Sequence, residues 1–431
     1  MPFHHKHHPH ILHWHRNHGK GKDTAPSLRA VAARNNILSI TANTSWILVQ
    51  LCLVGALLQT FLTVLGFSPA LIYAHTTVLQ AANVATILLC SKWAEKGNII
   101  KRTALVHLPF VILFIPYIPF ALRADNSTLA FVLLLAVGIL QQIATGLRTV
   151  CEYKLPYFSF LPEQYGRVCA IGGLIGGGFS LGITALISFF TERFGFMRVI
   201  LFVFIAAIVF VLISMVCTIT LKNLREMRLD AETLKREEVR VPLRDVFRHP
   251  TFLYMLPANI LRGFAYGTVS VLAVVAVSLG FDETLTTSMV TMTSLATFLG
   301  CVLFAFGISR IPPARMILLG TLGMIMMPLL LIRSAPLFLI LYTVIFFGRT
   351  LVDYAVPPML IDLVPVEISG SYHAFRMAIH TGASLLATGV AIFLPVPVFL
   401  ILTAVLQLLS AVSFCMAERR LKADARQAAE A

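Results

Sequence analysis

Charged side chains are scarce in this chain, since Asp, Glu, Lys and Arg make up only 13% of its 431 residues. Soluble domains carry about twice that share, because a surface in contact with water must be polar. Apolar residues make up 58% of the chain, which excludes disorder, and the 26 glycines and 21 prolines follow no period, which excludes collagen. The composition therefore predicts an all-α protein that crosses a membrane several times.

The sequence also lacks the motifs of a disulfide scaffold, a metal centre or a nucleotide-driven pump. Its seven cysteines form no C-x-x-C pair and lie mostly in apolar runs, so we interpret them as small buried residues. No Walker-type loop predicts ATP hydrolysis. No cluster of His, Asp or Ser indicates a membrane-embedded active site, so we expect no catalytic residue, no metal site and no cofactor. The first 36 residues are polar and basic and do not resemble a signal peptide.

Twelve apolar stretches are long enough to cross a bilayer, which takes about 20 residues per helix. We number them segments 1 to 12. Turn-forming or charged clusters separate most neighbours, for example Arg123–Thr128 and Ser309–Arg315. The predicted spans are 38–64, 68–91, 103–122, 128–150, 168–190, 199–220, 252–279, 284–308, 315–332, 336–355, 370–393 and 397–416.

Lysine and arginine are distributed unevenly about these segments. The two tails and the 2–3 and 6–7 connections hold most of them, with eight in the 6–7 connection alone. The connections on the opposite side hold only Arg123, Arg193, Arg198 and Arg333. Because positive residues are retained in the cytoplasm, we predict a multi-pass protein of the cell membrane with both termini cytoplasmic. The net charge of +14 then reflects topology, and no nucleic-acid partner is expected.

A polar stretch at 221–250 divides the segments into two sets of six. It mixes eight basic with six acidic residues. We interpret it as a cytoplasmic linker between a six-helix bundle at 37–220 and a second one at 251–418. A His-rich tail at 1–36 and a short tail at 419–431 complete the predicted organisation. A role of the linker in binding a partner is the alternative.

Two stretches, 201 positions apart, resemble each other. Arg148–Pro156 and Arg349–Pro357 share Arg, Thr, Tyr and Pro, and an acidic residue follows each arginine by four positions. This similarity predicts a parallel repeat of two six-helix halves, which is typical of transporters with a ligand site between the halves. Duplication without a transport role is the alternative.

The membrane region, roughly 37–418, resembles the major facilitator superfamily. The resemblance rests on the six-plus-six layout, the long central linker and the basic 2–3 and 8–9 connections. The turn Pro162–Arg167 is also similar to the family's Pro-acid-Arg-Gly turn. The 2–3 connection departs from the family pattern, because Glu95 replaces an aspartate and Ser91 replaces a glycine. The resemblance implies alternating access, with segments 1, 4, 7 and 10 around a central cavity.

Charged residues inside apolar segments cost about 2.5–3.5 kcal/mol each on insertion scales, so they indicate function. Arg148 and Glu152 in segment 4 have the i,i+4 spacing of a local ion pair, as do Arg349 and Asp353 in segment 10. We interpret them as gating groups that change partners between the halves or with the 2–3 connection; static ion pairs are the alternative. The candidate gating and coupling residues are Arg148, Glu152, Arg349, Asp353, Glu95 and Lys96.

Two further arginines have no acidic residue nearby in sequence. Arg262 lies near the middle of segment 7, and Arg376 lies in segment 11. Because a guanidinium binds carboxylate or phosphate through a planar fork, we predict an anionic organic substrate. The alternative is that Arg262 pairs with an acid or with backbone carbonyls elsewhere.

Polar residues near these arginines and in segments 1 and 4 complete the predicted binding site. The resemblance implies that those in segments 1 and 4 belong to the cavity wall, and hydrogen bonding between helices is the alternative. The candidate substrate-binding residues are Asn43, Gln50, Gln142, Asn259, Arg262, Tyr266, Arg376 and His380.

Coupling to an ion gradient needs a group that titrates or binds a cation. Glu152, Asp353 and His380 are the candidates, and they favour proton-linked transport. Eight of the thirteen histidines lie in residues 4–18, where they predict either a loose metal-binding tail or a disordered one.

These observations together predict a monomeric secondary transporter of a small organic solute, linked to a proton. An exporter of drug-like or amphipathic compounds is the first alternative. A membrane-embedded enzyme and a sensor on a transporter fold are the others, and neither an active-site cluster nor a large soluble domain favours them.

Overall fold

The computed structural model describes residues 26–53, 56–91, 93, 97–123, 127–228, 243–281, 283–307, 310–364, 366–391 and 393–430. Helices dominate these residues, and no strand occurs among them. They form twelve segments in two six-helix bundles, in the order of the predicted stretches. Because the chain crosses twelve times, segment 1 begins and segment 12 ends on one side, which we call the terminal side.

The segments have the following bounds. Segment 1 is Pro26–Leu53 with Ala56–Val64, segment 2 is Pro69–Leu89, and segment 3 is Ile99–Leu105, Leu108–Leu113 and Tyr117–Arg123. Segments 4 to 6 are Thr128–Lys154, Pro162–Phe194 and Phe196–Ile219. Segments 7 to 9 are Pro250–Ser278, Glu283–Gly307 and Pro313–Ile325 with the 3₁₀ turn Met327–Leu331. Segments 10 to 12 are Ala335–Leu363, Val366–Ala391 and Val396–Glu430.

The outer surface of the protein is apolar, as contact with lipid requires. Among the described residues, eight helical spans are long and apolar enough to cross a membrane by themselves. Two shorter apolar helices, Ala74–Leu89 and Thr291–Gly307, belong to segments 2 and 8. Large apolar side chains such as Leu89, Phe202 and Phe306 are exposed on this surface.

Segment 3 is broken, although its sequence predicted one helix over 103–122. Pro116 lies at the second break, where a proline has no N–H to donate and its ring disturbs the preceding turn. The side chain of Gln141 in segment 4 compensates for this break. Its Nε2 donates to the carbonyl oxygen of Leu113 at 3.1 Å, and its Oε1 accepts from the hydroxyl of Tyr117 at 3.1 Å.

Segment 1 begins at Pro26, well before the predicted start at 38, and segment 12 continues to Glu430. Hydropathy does not register these polar turns. The extension of segment 1 is held by the buried amide of Asn35, whose Nδ2 donates to the carbonyls of Ser159 at 3.0 Å and Lys222 at 2.7 Å. One buried side chain thus joins segment 1 to the 4–5 connection and to the start of the linker.

Two short helices, Leu224–Arg228 and Leu243–Arg248, lie in the predicted linker. Residues 229–242 and the histidines of residues 4–18 lie outside the described residues.

The two halves, segments 1–6 and segments 7–12, repeat one contact between their first and last segments. The hydroxyl of Ser214 in segment 6 donates to the carbonyl of Ala42 in segment 1 at 3.1 Å. In the second half, the hydroxyl of Ser410 in segment 12 donates to the carbonyl of Ala258 in segment 7 at 3.0 Å. Each bond satisfies a buried hydroxyl inside its own half.

The halves contact each other through segments 2 and 4 against segment 11, and through segment 5 against segments 8 and 10. Glycines of segment 5 allow the close approach. A Cβ atom on Gly173 would lie 2.5 Å from the ring of Tyr354, and one on Gly177 would lie 3.3 Å from the Cα of Phe298. Larger side chains at these positions would separate the halves.

Candidate functional site

A cavity of about 340 Å³ lies near the middle of the protein, where segments 7, 10 and 11 face segment 4. Its lining combines three arginines and one carboxylate with aromatic, apolar and hydroxyl side chains. The lining residues are Tyr153, Arg262, Tyr266, Arg349, Asp353, Val356, Pro357, Arg376, Met377, His380, Thr381 and Ser384.

Arg262 is paired with Asp353. Its Nη2 donates to Oδ1 of the carboxylate at 2.6 Å, and the hydroxyl of Tyr266 donates to the same oxygen. The side chain of Arg262 is 5% exposed, whereas that of Asp353 is 40% exposed. The absence of a nearby acid in sequence was therefore misleading, because the partner comes from segment 10, 91 positions away.

Arg349 shares the same carboxylate at a greater distance. Its Nε lies 3.7 Å from Oδ2 of Asp353, so the predicted i,i+4 pair is present but weaker in geometry than the pair with Arg262. The guanidinium carbon of Arg349 also lies 4.6 Å from the centre of the Tyr266 ring, within the range of a cation–π contact. One carboxylate thus stands between two guanidinium groups.

Arg376 forms no ion pair among the described residues. It is buried, its guanidinium carbon lies 5.5 Å from the ring centre of Tyr153, and its Nη2 lies 3.7 Å from the sulfur of Met377. Its Nε has no hydrogen-bond partner in the described part of the chain, and the same holds for Nε and Nη1 of Arg262 and Nε2 of His380. Such unpaired donors are costly in a protein interior unless a ligand or water satisfies them.

Arg148 and Glu152 form the predicted ion pair within segment 4, but neither lines the cavity. The guanidinium carbon of Arg148 lies 3.8 Å from the ring centre of Trp46, and its Nε lies 3.4 Å from Nε2 of His107. These partners all belong to the first half. In this conformation the pair is local to its helix.

The predicted binding residues are only partly gathered at the cavity. Arg262, Tyr266, Arg376 and His380 line it. The other four, Asn43, Gln50, Gln142 and Asn259, are not among the lining residues. Asn43 and Gln50 are exposed, Gln142 is buried, and the Nδ2 of Asn259 donates to the carbonyl of Met255 at 2.9 Å. Of the predicted gating residues, Glu95 and Lys96 lie outside the described residues.

Tyr153 lines the cavity and was missed by the sequence analysis, as were Thr381 and Ser384. It is the one residue of the first half among the described residues that line the cavity. The repeat contained a signal for it, because Tyr153 follows Glu152 as Tyr354 follows Asp353. Position in a repeat does not show which copy of the tyrosine reaches the cavity.

Among the described residues, no group of three or more His, Cys, Asp or Glu side chains is arranged to hold a metal ion.

The sequence matches the model of the Major Facilitator Superfamily over residues 36–388. The chain belongs to this superfamily. No curated protein matches the sequence.

Solved structures of superfamily transporters share the fold. A bacterial homologue of the iron transporter ferroportin, in an outward-facing state with soaked iron, superimposes with a TM-score of 0.69 at 12% identity, covering 90% of this chain and 99% of the other. The transporter FucP in its outward conformation gives 0.67 at 13% identity, with coverage of 91% and 99%. The human organic anion transporter MFSD10 gives 0.64 at 13%, with coverage of 90% and 100%.

This superfamily member is therefore a multi-pass membrane protein that transports a small-molecule substrate, and it is not an enzyme. The identities are low enough that the solved structures establish the fold alone. The chemistry of the substrate has to be argued from the cavity of this chain.

Proposed function

We propose that this transporter carries a small organic anion across the cell membrane by alternating access, coupled to a proton. One observation carries the proposal: three guanidinium groups line a cavity that contains one carboxylate. With Arg262, Arg349 and Arg376 counted against Asp353, the lining has an excess of two positive charges.

That excess charge favours an anionic ligand. Uncompensated charge is expensive in a low-dielectric interior, and an entering carboxylate or phosphate supplies the missing counter-charge. The unpaired donors on Arg262 and Arg376 offer it charge-assisted hydrogen bonds, which are stronger than neutral ones. The same excess charge disfavours a cation as the substrate.

The size and remaining lining of the cavity support a small solute. Its volume of about 340 Å³ is at the lower end of the range for small-molecule sites. Apolar contacts from Val356, Pro357 and Met377 suit a short carbon skeleton, and the hydroxyl of Thr381 adds a polar contact.

Asp353 is the proposed proton site. Protonation of its carboxylate would release Arg262 and Arg349 from their shared counter-charge, so that proton and anion binding would favour each other. Glu152 and His380 remain the other coupling candidates. We further propose that both termini are cytoplasmic and that the protein acts as a monomer, while export of amphipathic compounds is the alternative function.

The substrate class is tested on purified protein with a panel of small carboxylates, phosphate esters, neutral sugars and organic cations. Ligands are detected first by a thermal shift and then by uptake into proteoliposomes. Anions are expected to stabilise the wild type, and Arg376→Gln is expected to weaken that effect at least about tenfold, because one charge-assisted contact is lost. Arg193→Gln, at an exposed arginine far from the cavity, is the matched control. Stabilisation by cations or sugars alone, or an unchanged response of Arg376→Gln, would refute an anion carrier.

Proton coupling is tested separately in proteoliposomes with an imposed pH gradient. Asp353→Asn is expected to abolish the stimulation of anion uptake by the gradient, while exchange of anion at equal pH persists. Glu152→Gln is the matched variant in the other half. If the gradient stimulates uptake equally in the wild type and both variants, neither carboxylate couples transport to protons.

A further inference from the structure

Tyr153 occupies a particular position between the two halves. It is the single described residue of segments 1–6 at the cavity, and it lies at the terminal-side end of segment 4. Every other described residue that lines the cavity belongs to segments 7, 10 or 11. Any movement of the first half away from the second half on this side must therefore displace the Tyr153 ring from the cavity wall.

Two residues of segment 11, one helical turn apart, hold that ring. The imidazole of His373 stacks on it, with ring centres 4.9 Å apart and planes inclined by 12°. The guanidinium carbon of Arg376 lies 5.5 Å from the ring centre. His373 and Arg376 are themselves buried, so these contacts are shielded from water.

Neighbouring contacts close the same side of the protein. The hydroxyl of Tyr157 donates to the carbonyl of Val364, at the 10–11 connection, at 3.3 Å. Ala374 of segment 11 is packed in an apolar cluster with Ile87 and Val150 of the first half. The Tyr153 contacts lie between these contacts and the cavity, so they are the part of the closure that a bound solute reaches.

We infer that Tyr153, held by His373 and Arg376, is the latch that keeps the terminal side closed and that an anion in the cavity releases. A guanidinium forms stronger interactions with a carboxylate or phosphate than with the face of a neutral ring. An anion that engages Arg376 therefore withdraws it from Tyr153 and leaves the stack with His373 as the remaining contact. The release step rests on the proposed function, whereas the closure by Tyr153 does not.

The closure is tested by hydrogen–deuterium exchange on the full-length protein in lipid nanodiscs, without any added anion. Tyr153→Leu removes both ring contacts, and His373→Leu removes the stack from the opposite half. Both variants are expected to raise the exchange rates of the 4–5 connection, Leu155–Leu161, and of the 10–11 connection near Val364 at least about threefold. Tyr153→Phe keeps the ring and is expected to exchange like the wild type.

An internal comparison separates opening from unfolding. The amides around Tyr117 and Gln141 lie in the interior of the first half, so they are expected to exchange at the wild-type rate in a variant that only opens. If Tyr153→Leu accelerates exchange everywhere, His373→Leu with Tyr153→Phe decides the question. Wild-type exchange at both connections in folded Tyr153→Leu or His373→Leu would overturn the latch.

The release step is tested in a second arm, with succinate as the probe. Succinate at millimolar concentration is expected to raise exchange at the two connections in the wild type, and to add nothing in Tyr153→Leu. If Tyr153→Leu opens the protein but succinate and a small phosphate ester leave the wild type unchanged, the latch stands and release by an anion is rejected. That outcome counts against the proposed function alone.

Discussion

Asp353 accepts a hydrogen bond from Arg262 at 2.6 Å between Oδ1 and Nη2, across segments 10 and 7. The same carboxylate lies 3.7 Å from Nε of Arg349 on its own helix. It therefore limits the positive charge of the cavity and connects two segments of the second half. This double role makes Asp353 the most informative position for mutation.

Asp353→Asn should lower stability and strengthen anion binding. Arg262 is buried and would lose its counter-charge, at a cost of about 1–3 kcal/mol, while the net positive charge of the lining would rise. Thermal unfolding of the purified protein, with and without a small carboxylate, measures both effects.

Glu152→Gln is the control for that prediction, because it occupies the equivalent position of the repeat outside the cavity. It should also lower stability, since Arg148 is buried, but leave the affinity for anions unchanged. Equal affinities in the two variants would show that the charge of Asp353 does not act on the ligand.

Gln141→Leu should destabilise the protein, whereas Gln142→Leu should not. Gln141 satisfies both the carbonyl of Leu113 at the break in segment 3 and the hydroxyl of Tyr117, so its loss leaves buried polar groups without partners, at a cost of about 1–3 kcal/mol. The Nε2 of Gln142 has no hydrogen-bond partner among the described residues. Unfolding midpoints of the two adjacent variants in detergent measure the difference, and similar losses would contradict the assigned role.

Gly267→Ala should separate segments 7 and 11. A Cβ atom there would lie 2.2 Å from the carbonyl oxygen of Ser384, which is closer than any contact permits. The expected cost is about 1–3 kcal/mol, with loss of transport because Ser384 lines the cavity. Gly389→Ala, where nothing lies within 4 Å, is the matched control and should be neutral or slightly stabilising.

Transport rates and unfolding midpoints together test this prediction. A Gly267→Ala variant with the stability and activity of Gly389→Ala would mean that the two segments do not pack as closely as described.

His249, just before segment 7, should make stability depend on pH. Its Nδ1 accepts a hydrogen bond from the backbone N–H of Thr251 at 3.3 Å, and burial lowers the pKa of the imidazole below its ordinary value. The unfolded chain then binds a proton before the folded one does. Stability should fall as the pH decreases from about 6.5 toward the lowered pKa, by at most about 1.4 kcal/mol per pH unit from this group.

His249→Asn keeps a hydrogen-bond acceptor near the start of segment 7 but does not titrate. The difference in unfolding midpoint between pH 7.5 and pH 5.5 should therefore be smaller in this variant than in the wild type. An identical difference would assign the acid sensitivity to other groups.

Patterns that act over a few residues made part of this structure predictable. A run of about 20 apolar residues must become a helix in lipid, since its backbone groups have no other partners, and this reasoning located all twelve segments. The i,i+4 spacing likewise located the pair of Arg148 with Glu152. Polar extensions and proline breaks were missed because hydropathy averages over them, as at Pro26 and Pro116.

The sequence by itself determined how many times the chain crosses the membrane and which arginines lie at membrane depth, because both depend on the local cost of placing polar groups in lipid. Only the tertiary structure decided that Asp353 meets Arg262, that Asn43 and Gln50 stand apart from the cavity, and that Tyr153 rather than Tyr354 lines it. Those outcomes depend on how each helix is rotated about its axis and packed against its neighbours. Side-chain contacts between distant segments set that rotation, and no short window of sequence contains them.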